Sequence, residues 1–211
     1  MYNKNHMNFN TLATQETVQK TINSLKERNV ETFVVQNKTE ALEKIKELIP
    51  QGVSVMNGAS RTLEQVGFVE YLKSGEHPWN NLHAAIVAET DPATQMQLRK
   101  QAVLSDYYLG SVHAVAETGE FIIASNTGSQ LPHIVFTSPH LIFVVSTKKI
   151  VPTLSDAFTR LEDHIIPLED ENMKQKYGFG TSLNKIVVFR KENPMMGRTV
   201  QMIFVNEDLG F

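Results

Sequence analysis

The stretch VETFVVQNKTEALEKIKELIPQGVSVM, residues 30–56, holds a complete strand–helix–strand unit. Residues 30–35 are rich in β-branched and aromatic side chains, the mark of a short strand. Asn37 followed three residues on by Glu40 has the form of a capping box. Leu42, Ile45 and Ile49 then fall on one helical face. Pro50 and Gly52 stop that helix, and residues 53–56 form a second short apolar strand.

The same alternation continues in both directions. Upstream, Val18, Ile22 and Leu25 share a helical face within residues 14–28. Downstream, the polar loop Asn57-Gly58-Ala59-Ser60 leads into a broken helical stretch over 62–73. Residues 84–88 read as a short strand or a helix end, and Asp91-Pro92 opens a helix running to about Ser105. Residues 110–116 and 120–125 form two strands of a hairpin bent at Thr118-Gly119. An apolar strand over 141–146, a helix over 155–161, a long connection or surface helix over 162–177, and strands over 185–190 and 199–206 complete the chain. This order predicts an α/β fold: a mostly parallel central sheet, flanking helices and one inserted β-hairpin. A single domain is expected over residues 13–211, with the polar, Asn-rich residues 1–12 disordered.

Composition narrows the chemistry. The 211 residues carry 20 Lys+Arg against 23 Asp+Glu and no cysteine. Without cysteine there is no disulfide, zinc–thiolate site, Cys-ligated iron–sulfur cluster or thiol nucleophile. Mild acidity speaks against a nucleic-acid partner. No apolar run approaches the roughly 18 residues of a membrane span, and no signal core opens the chain, so a cytoplasmic protein is expected. The adjacent pair Lys148-Lys149 reads as solvated surface.

No P-loop and no G-x-S-x-G elbow is present. Gly178-Phe179-Gly180 starts a dinucleotide-type pattern, but Leu183 stands where its third glycine belongs. The seven histidines show no metal-ligand spacing. Three segments have chemical potential. Gly58, Ser60, Arg61 and Thr62 leave a strand and enter a helix, either as an anion cradle or as a plain turn that Ser60 caps. His113 to Glu120 places Glu117 beside Gly119 at a hairpin bend, where the carboxylate could be a nucleophile or base, or could simply fix the turn. Ser125, Asn126, Gly128 and Ser129 belong to a polar run between apolar segments that suits a ligand-facing loop and an ordinary one alike.

A family resemblance rests on an ordered set of motifs. Ala116-Glu117-Thr118-Gly119, Ala124-Ser125-Asn126-Thr127-Gly128, Pro139-His140-Leu141-Ile142 and Lys149-Ile150-Val151-Pro152 follow one another, with Ser60 to Gly67 upstream. Over about residues 53–161 the chain resembles the LUD domain (lactate-utilisation) family, in particular its short stand-alone C type. The family's closing motifs are altered here to Gly180-Thr181-Ser182-Leu183-Asn184-Lys185-Ile186 and Asn193-Pro194-Met195-Met196-Gly197-Arg198. The acidic pair and the H-G-P order are lost, while Ser182 and Arg198 are retained. The resemblance implies the NagB/RpiA/CoA-transferase-like fold, with ligands at the carboxyl ends of strands and Glu117 as the counterpart of a transferase nucleophile. It further implies a non-redox accessory role in L-lactate oxidation beside iron–sulfur subunits. A small carboxylate, nucleotide or CoA ester would be the ligand; no cofactor is named. A stand-alone CoA-transferase-like or phosphate-ligand enzyme, or a non-catalytic binding module, are the alternatives.

Overall fold

The computed structural model describes residues 8–211. Residues 1–7 of the segment expected to be disordered lie outside the described residues. Phe9 packs beside His164, with ring centroids 5.5 Å apart.

The chain opens with α1 (Gln15–Lys26), capped by the Thr14 side chain, and β1 (Val30–Val35). Then come α2 (Lys38–Leu48) and β2 (Ser54–Asn57). Asn37 does cap α2 through the Glu40 amide, but the Glu40 carboxylate accepts from the Gln36 backbone amide and the Asn37 side chain rather than from the Asn37 backbone amide. The broken helix is α3 (Arg61–Gln65) and α4 (Phe68–Ser74), split by Gly67 at φ 81°. A two-residue strand, β3 (Asn80–Asn81), leads into α5 (Leu82–Ala88), which resolves the ambiguous segment as helix. Asp91 caps α6 (Pro92–Gln101). After it come β4 (Tyr107–Gly110), the hairpin β5 (Ala114–Ala116) and β6 (Phe121–Ser125), and β7 (His140–Ser146). The remainder is β8 (Ile150–Val151), α7 (Leu154–Arg160), α8 (Ile166–Tyr177), β9 (Lys185–Phe189) and β10 (Thr199–Val205). A π-helical turn over Leu161–Ile165 joins α7 to α8, so of the two readings of residues 162–177, a long connection or a surface helix, the structure has the helix.

Six strands form the central sheet in the order β1-β10-β7-β4-β2-β3, every pair parallel. The expected hairpin is present, and it lies in a second sheet, β8-β5-β6-β9. The strand at 185–189 joins that second sheet, antiparallel to β6. β4 was concealed in the sequence because all four of its residues are buried, so it shows no alternation and merges with Gly110 onward.

The molecule is therefore layered helix–sheet–sheet–helix. On one face of the central sheet, Ile142, Val144, Ile203 and Leu109 pack against Ile45 of α2, Leu63 of α3 and Phe68 and Leu72 of α4. On the other face, Leu141, Phe143, Val145 and Phe204 meet Val115, Phe121 and Ile123 of the second sheet. The outer side of that sheet is covered by Ala157, Leu161 and Ile165. Burying an aromatic such as Phe143 completely contributes roughly 1.5–3 kcal/mol. Such burial on both faces of β7 and β10 anchors the strands whose ends carry the site.

Candidate functional site

Because β2, β4, β7 and β10 run parallel, the segments leaving them emerge on one edge of the sheet. Residues 57–62, 110–113, 149 and 210–211 line one side of a cavity of about 560 Å³. Residues 124–127 with Ser129 and Gln130, following β6, form another wall; α8 and residues 181–183 form a third. This is the crevice at the carboxyl ends of strands where parallel α/β sheets hold ligands.

Lys149 stands in its wall. It is only 4% exposed, and its Nζ donates to Thr62 Oγ1 at 3.2 Å, Ser111 Oγ at 3.1 Å and the Val112 carbonyl at 3.2 Å. Among the described residues no carboxylate pairs with it. Burial, reinforced by the neighbouring Arg160 and Lys148 cations, lowers its ammonium well below the ordinary lysine value. Lys148 is equally buried but is neutralised by Asp208 and also donates to the Gly210 carbonyl. Gly210 sits at φ 69°, the left-handed region that favours glycine, and a Cβ there would meet Thr62 Oγ1 and lie 2.9 Å from Lys149 Nζ. The pair expected on the surface is thus internal. Its position directly after a fully apolar parallel strand was the sequence signal for that.

Two histidines and a tyrosine continue the wall. The Tyr108 and His133 rings stack with centroids 4.6 Å apart. His133 Nδ1 lies 3.2 Å from Ser105 Oγ and 3.0 Å from Ser138 Oγ. Burial lowers the His133 pKa to about 4 and raises that of Tyr108. His113 Nδ1 accepts from the Ala124 amide at 3.1 Å, and its carbonyl accepts from Arg160. Burial first, then Lys149 and Arg160, hold the His113 pKa at about 3. Both imidazoles are neutral at physiological pH. Glu169, on the α8 side, has its carboxyl raised by burial.

Eight of the residues singled out in the sequence converge here: Gly58, Ser60, Arg61, Thr62, His113, Ser125, Asn126 and Ser129. Ser60 caps α3, five residues long, through the Leu63 amide, which is the geometry of the second of the two readings of this segment, a turn that Ser60 caps. Arg61 lies over the Phe211 ring, 4.8 Å from its centroid. Asn126 Oδ1 accepts from Asn184 at 2.7 Å, and Gly128 turns the loop at φ 86° behind the wall, against Lys185.

Glu117, Gly119 and Arg198 are not brought to the cavity. Glu117 pairs with Lys20 of α1 at 2.8 Å rather than with neighbouring backbone amides, and its own amide donates to the Val151 carbonyl. Gly119, at φ 92°, packs on α1, where a Cβ would come within 2.8 Å of Arg28 Cδ. Arg198 donates to the carbonyls of His133, Ile134, Val135 and Ser138 at 2.9–3.3 Å, closing the π-helical turn His133–Thr137. Tyr108, His133, Arg99 and Glu169 are among the wall residues the sequence did not single out, and Lys149 stood there only in a family motif and a surface pair. No group of three or more His, Asp or Glu side chains able to hold a metal comes together among the described residues. No helix among them is long and apolar enough to cross a membrane.

Comparison with known proteins agrees with this architecture. A DUF162 family protein from Deinococcus radiodurans has a similar crystal structure, with a TM-score of 0.57 at 13% identity, covering 93% of this chain and 100% of that one. At that identity the likeness establishes the fold. No curated protein sequence matches the chain. The LUD domain family model matches residues 18–187, and the chain belongs to that family.

Proposed function

We propose that this LUD domain protein is a non-redox component of an L-lactate oxidation system and binds a small carboxylic acid in the strand-end cavity. The observation that carries the reading is Lys149, a buried amine held only by neutral oxygens. Its ammonium form is costly there without a partner, and a ligand carboxylate would supply the missing counter-charge. Arg61, Arg99 and Lys176 add positive charge to the lining against Glu64 and Glu169. With no cysteine in the chain, electrons leaving lactate would have to pass through separate iron–sulfur subunits. The assembly is assigned to the cytoplasm.

A cavity of about 560 Å³ is larger than a three-carbon acid fills. Its outer part is walled by Tyr177, Phe179 and Phe211. Those aromatics favour, as a second reading, an acid carried on a larger group such as a CoA ester or nucleotide. Acyl transfer through Glu117 has no comparable support, since that carboxylate is engaged by Lys20.

Thermal melts with L-lactate, short 2-oxo acids and CoA esters test the binding. A ligand at 100 times its Kd should add about 2.7 kcal/mol, a shift of several degrees for a domain of this size. Lys149→Met should abolish the shift. Silence of the wild type across the acids and esters would refute the binding role. Normal growth on lactate after deletion, with no cysteine-rich partner co-purifying, would refute the metabolic one.

A further inference from the structure

The two adjacent buried lysines are treated differently by the fold. Lys148 is given a carboxylate, Asp208, and a carbonyl, that of Gly210. Lys149 is given the hydroxyls of Thr62 and Ser111 and the Val112 carbonyl, and it alone of the two faces the cavity. Hydroxyls can accept from an amine or donate to it, so this setting serves a neutral amine as well as an ammonium. A carboxylate would fix the charged form, and none is there among the described residues. Such a group, free of an acid partner and open to a ligand space, has the surroundings of a nucleophilic lysine.

We infer that Lys149 condenses with the carbonyl carbon of a short 2-oxo acid and holds it as an imine in the cavity. The inference rests on the carboxylic-acid reading above, because removing two electrons and two protons from a 2-hydroxy acid yields a 2-oxo acid. The Nζ lone pair adds to the carbonyl carbon, forming the C–N bond, and the carbonyl π pair moves to oxygen. That oxygen takes one Nζ proton, relayed by the Ser111 or Thr62 hydroxyl, giving a carbinolamine. The C–O bond then breaks, a second Nζ proton leaves with the oxygen as water, and the nitrogen pair closes the C=N bond. The step consumes no oxidant or reductant. The lowered basicity of Lys149 supports it, since it leaves more of the side chain as free amine at neutral pH.

The full-length protein, incubated with pyruvate and sodium cyanoborohydride, tests this by peptide mapping. The expected result is reductive alkylation of Lys149 at least about tenfold above exposed Lys26, Lys73 and Lys100 in the same digest. L-Lactate, which has no ketone or aldehyde carbonyl, should bind and slow the labelling without forming an adduct. Labelling spread evenly over exposed lysines, or absent from Lys149, overturns the imine. If pyruvate or lactate raises the melting temperature while Lys149 stays unmodified, the imine falls and the binding role stands. If neither acid binds nor labels, the imine falls with the acid reading on which it rests.

Discussion

Protonation of His113 should dominate part of the protein's response to acid. Its ring accepts from the Ala124 amide and faces the fields of Lys149 and Arg160. The folded pKa is about 3, against about 6.5 for an unfolded histidine. Between those values the unfolded chain binds a proton at His113 that the folded chain refuses. Stability is therefore full above about pH 6.5 and falls as pH drops, by about 1.4 kcal/mol per pH unit for one proton. Over the whole window the loss would be at most about 5 kcal/mol, since His113 lines the cavity and is only partly buried. His133, held at about 4, adds a slope of the same sign. His113→Asn keeps an acceptor for the Ala124 amide but does not titrate. Urea unfolding at steps between about pH 4.5 and 6 should give the variant a slope shallower by about 1.4 kcal/mol per pH unit. Equal slopes, or an NMR titration of His113 near its unfolded value, would refute the reasoning.

Three further outcomes follow from the packing. Gly58→Ala drives a methyl into the Tyr108 hydroxyl and to 2.8 Å from Gln130 Oε1. It should cost about 1–3 kcal/mol in a chemical melt and blunt the ligand-induced shift; an unchanged variant would mean the wall yields freely. Arg198→Met strips donors from four carbonyls and should destabilise by roughly 2–4 kcal/mol, while ligand-induced shifts persist at a temperature where the variant is folded. Loss of binding in folded Arg198→Met would return Arg198 to the site. Lys20→Ala removes a largely exposed partner of Glu117 and should change stability by less than about 1 kcal/mol, without effect on binding. A larger loss would assign the hairpin bend a role that its geometry does not suggest.

Much of the architecture was legible because it is encoded locally. The 30–56 unit shows its caps, periodicity and stops in consecutive residues, and β1 and α2 fall where those signals put them. β4 and the second sheet were harder. A short strand buried on both faces has no period to read, and sheet membership depends on partners far along the chain. The same division holds at the site. Gly58 to Thr62 and Ser125 to Ser129 stood out as small polar runs after strands, and most of them line the cavity. Glu117 stood out by chemistry, yet Lys20, distant in sequence, takes its carboxylate. Lys149 was hidden by the opposite error, because a paired-lysine motif says nothing of the distant residues that close around it. Its burial depends on Thr62, Ser111, Val112 and Gly210, brought together from three separate parts of the chain.

The edge position of β1 has a consequence for how the protein must be made. Its one neighbour in the sheet is β10, near the opposite end of the sequence. Until β10 arrives, β1 offers a row of unpaired backbone groups to any strand, including one from another molecule. Pairing across such a span is a slow step. Residues 206–211, which tie Lys148 through Asp208 and place Gly210 and Phe211 on the cavity, follow β10 directly. Insertion of that strand thus seals the sheet and completes the pocket in one event. Acquisition of ligand binding during refolding would then time the last stage of folding, and aggregation would be a hazard of the stages before it.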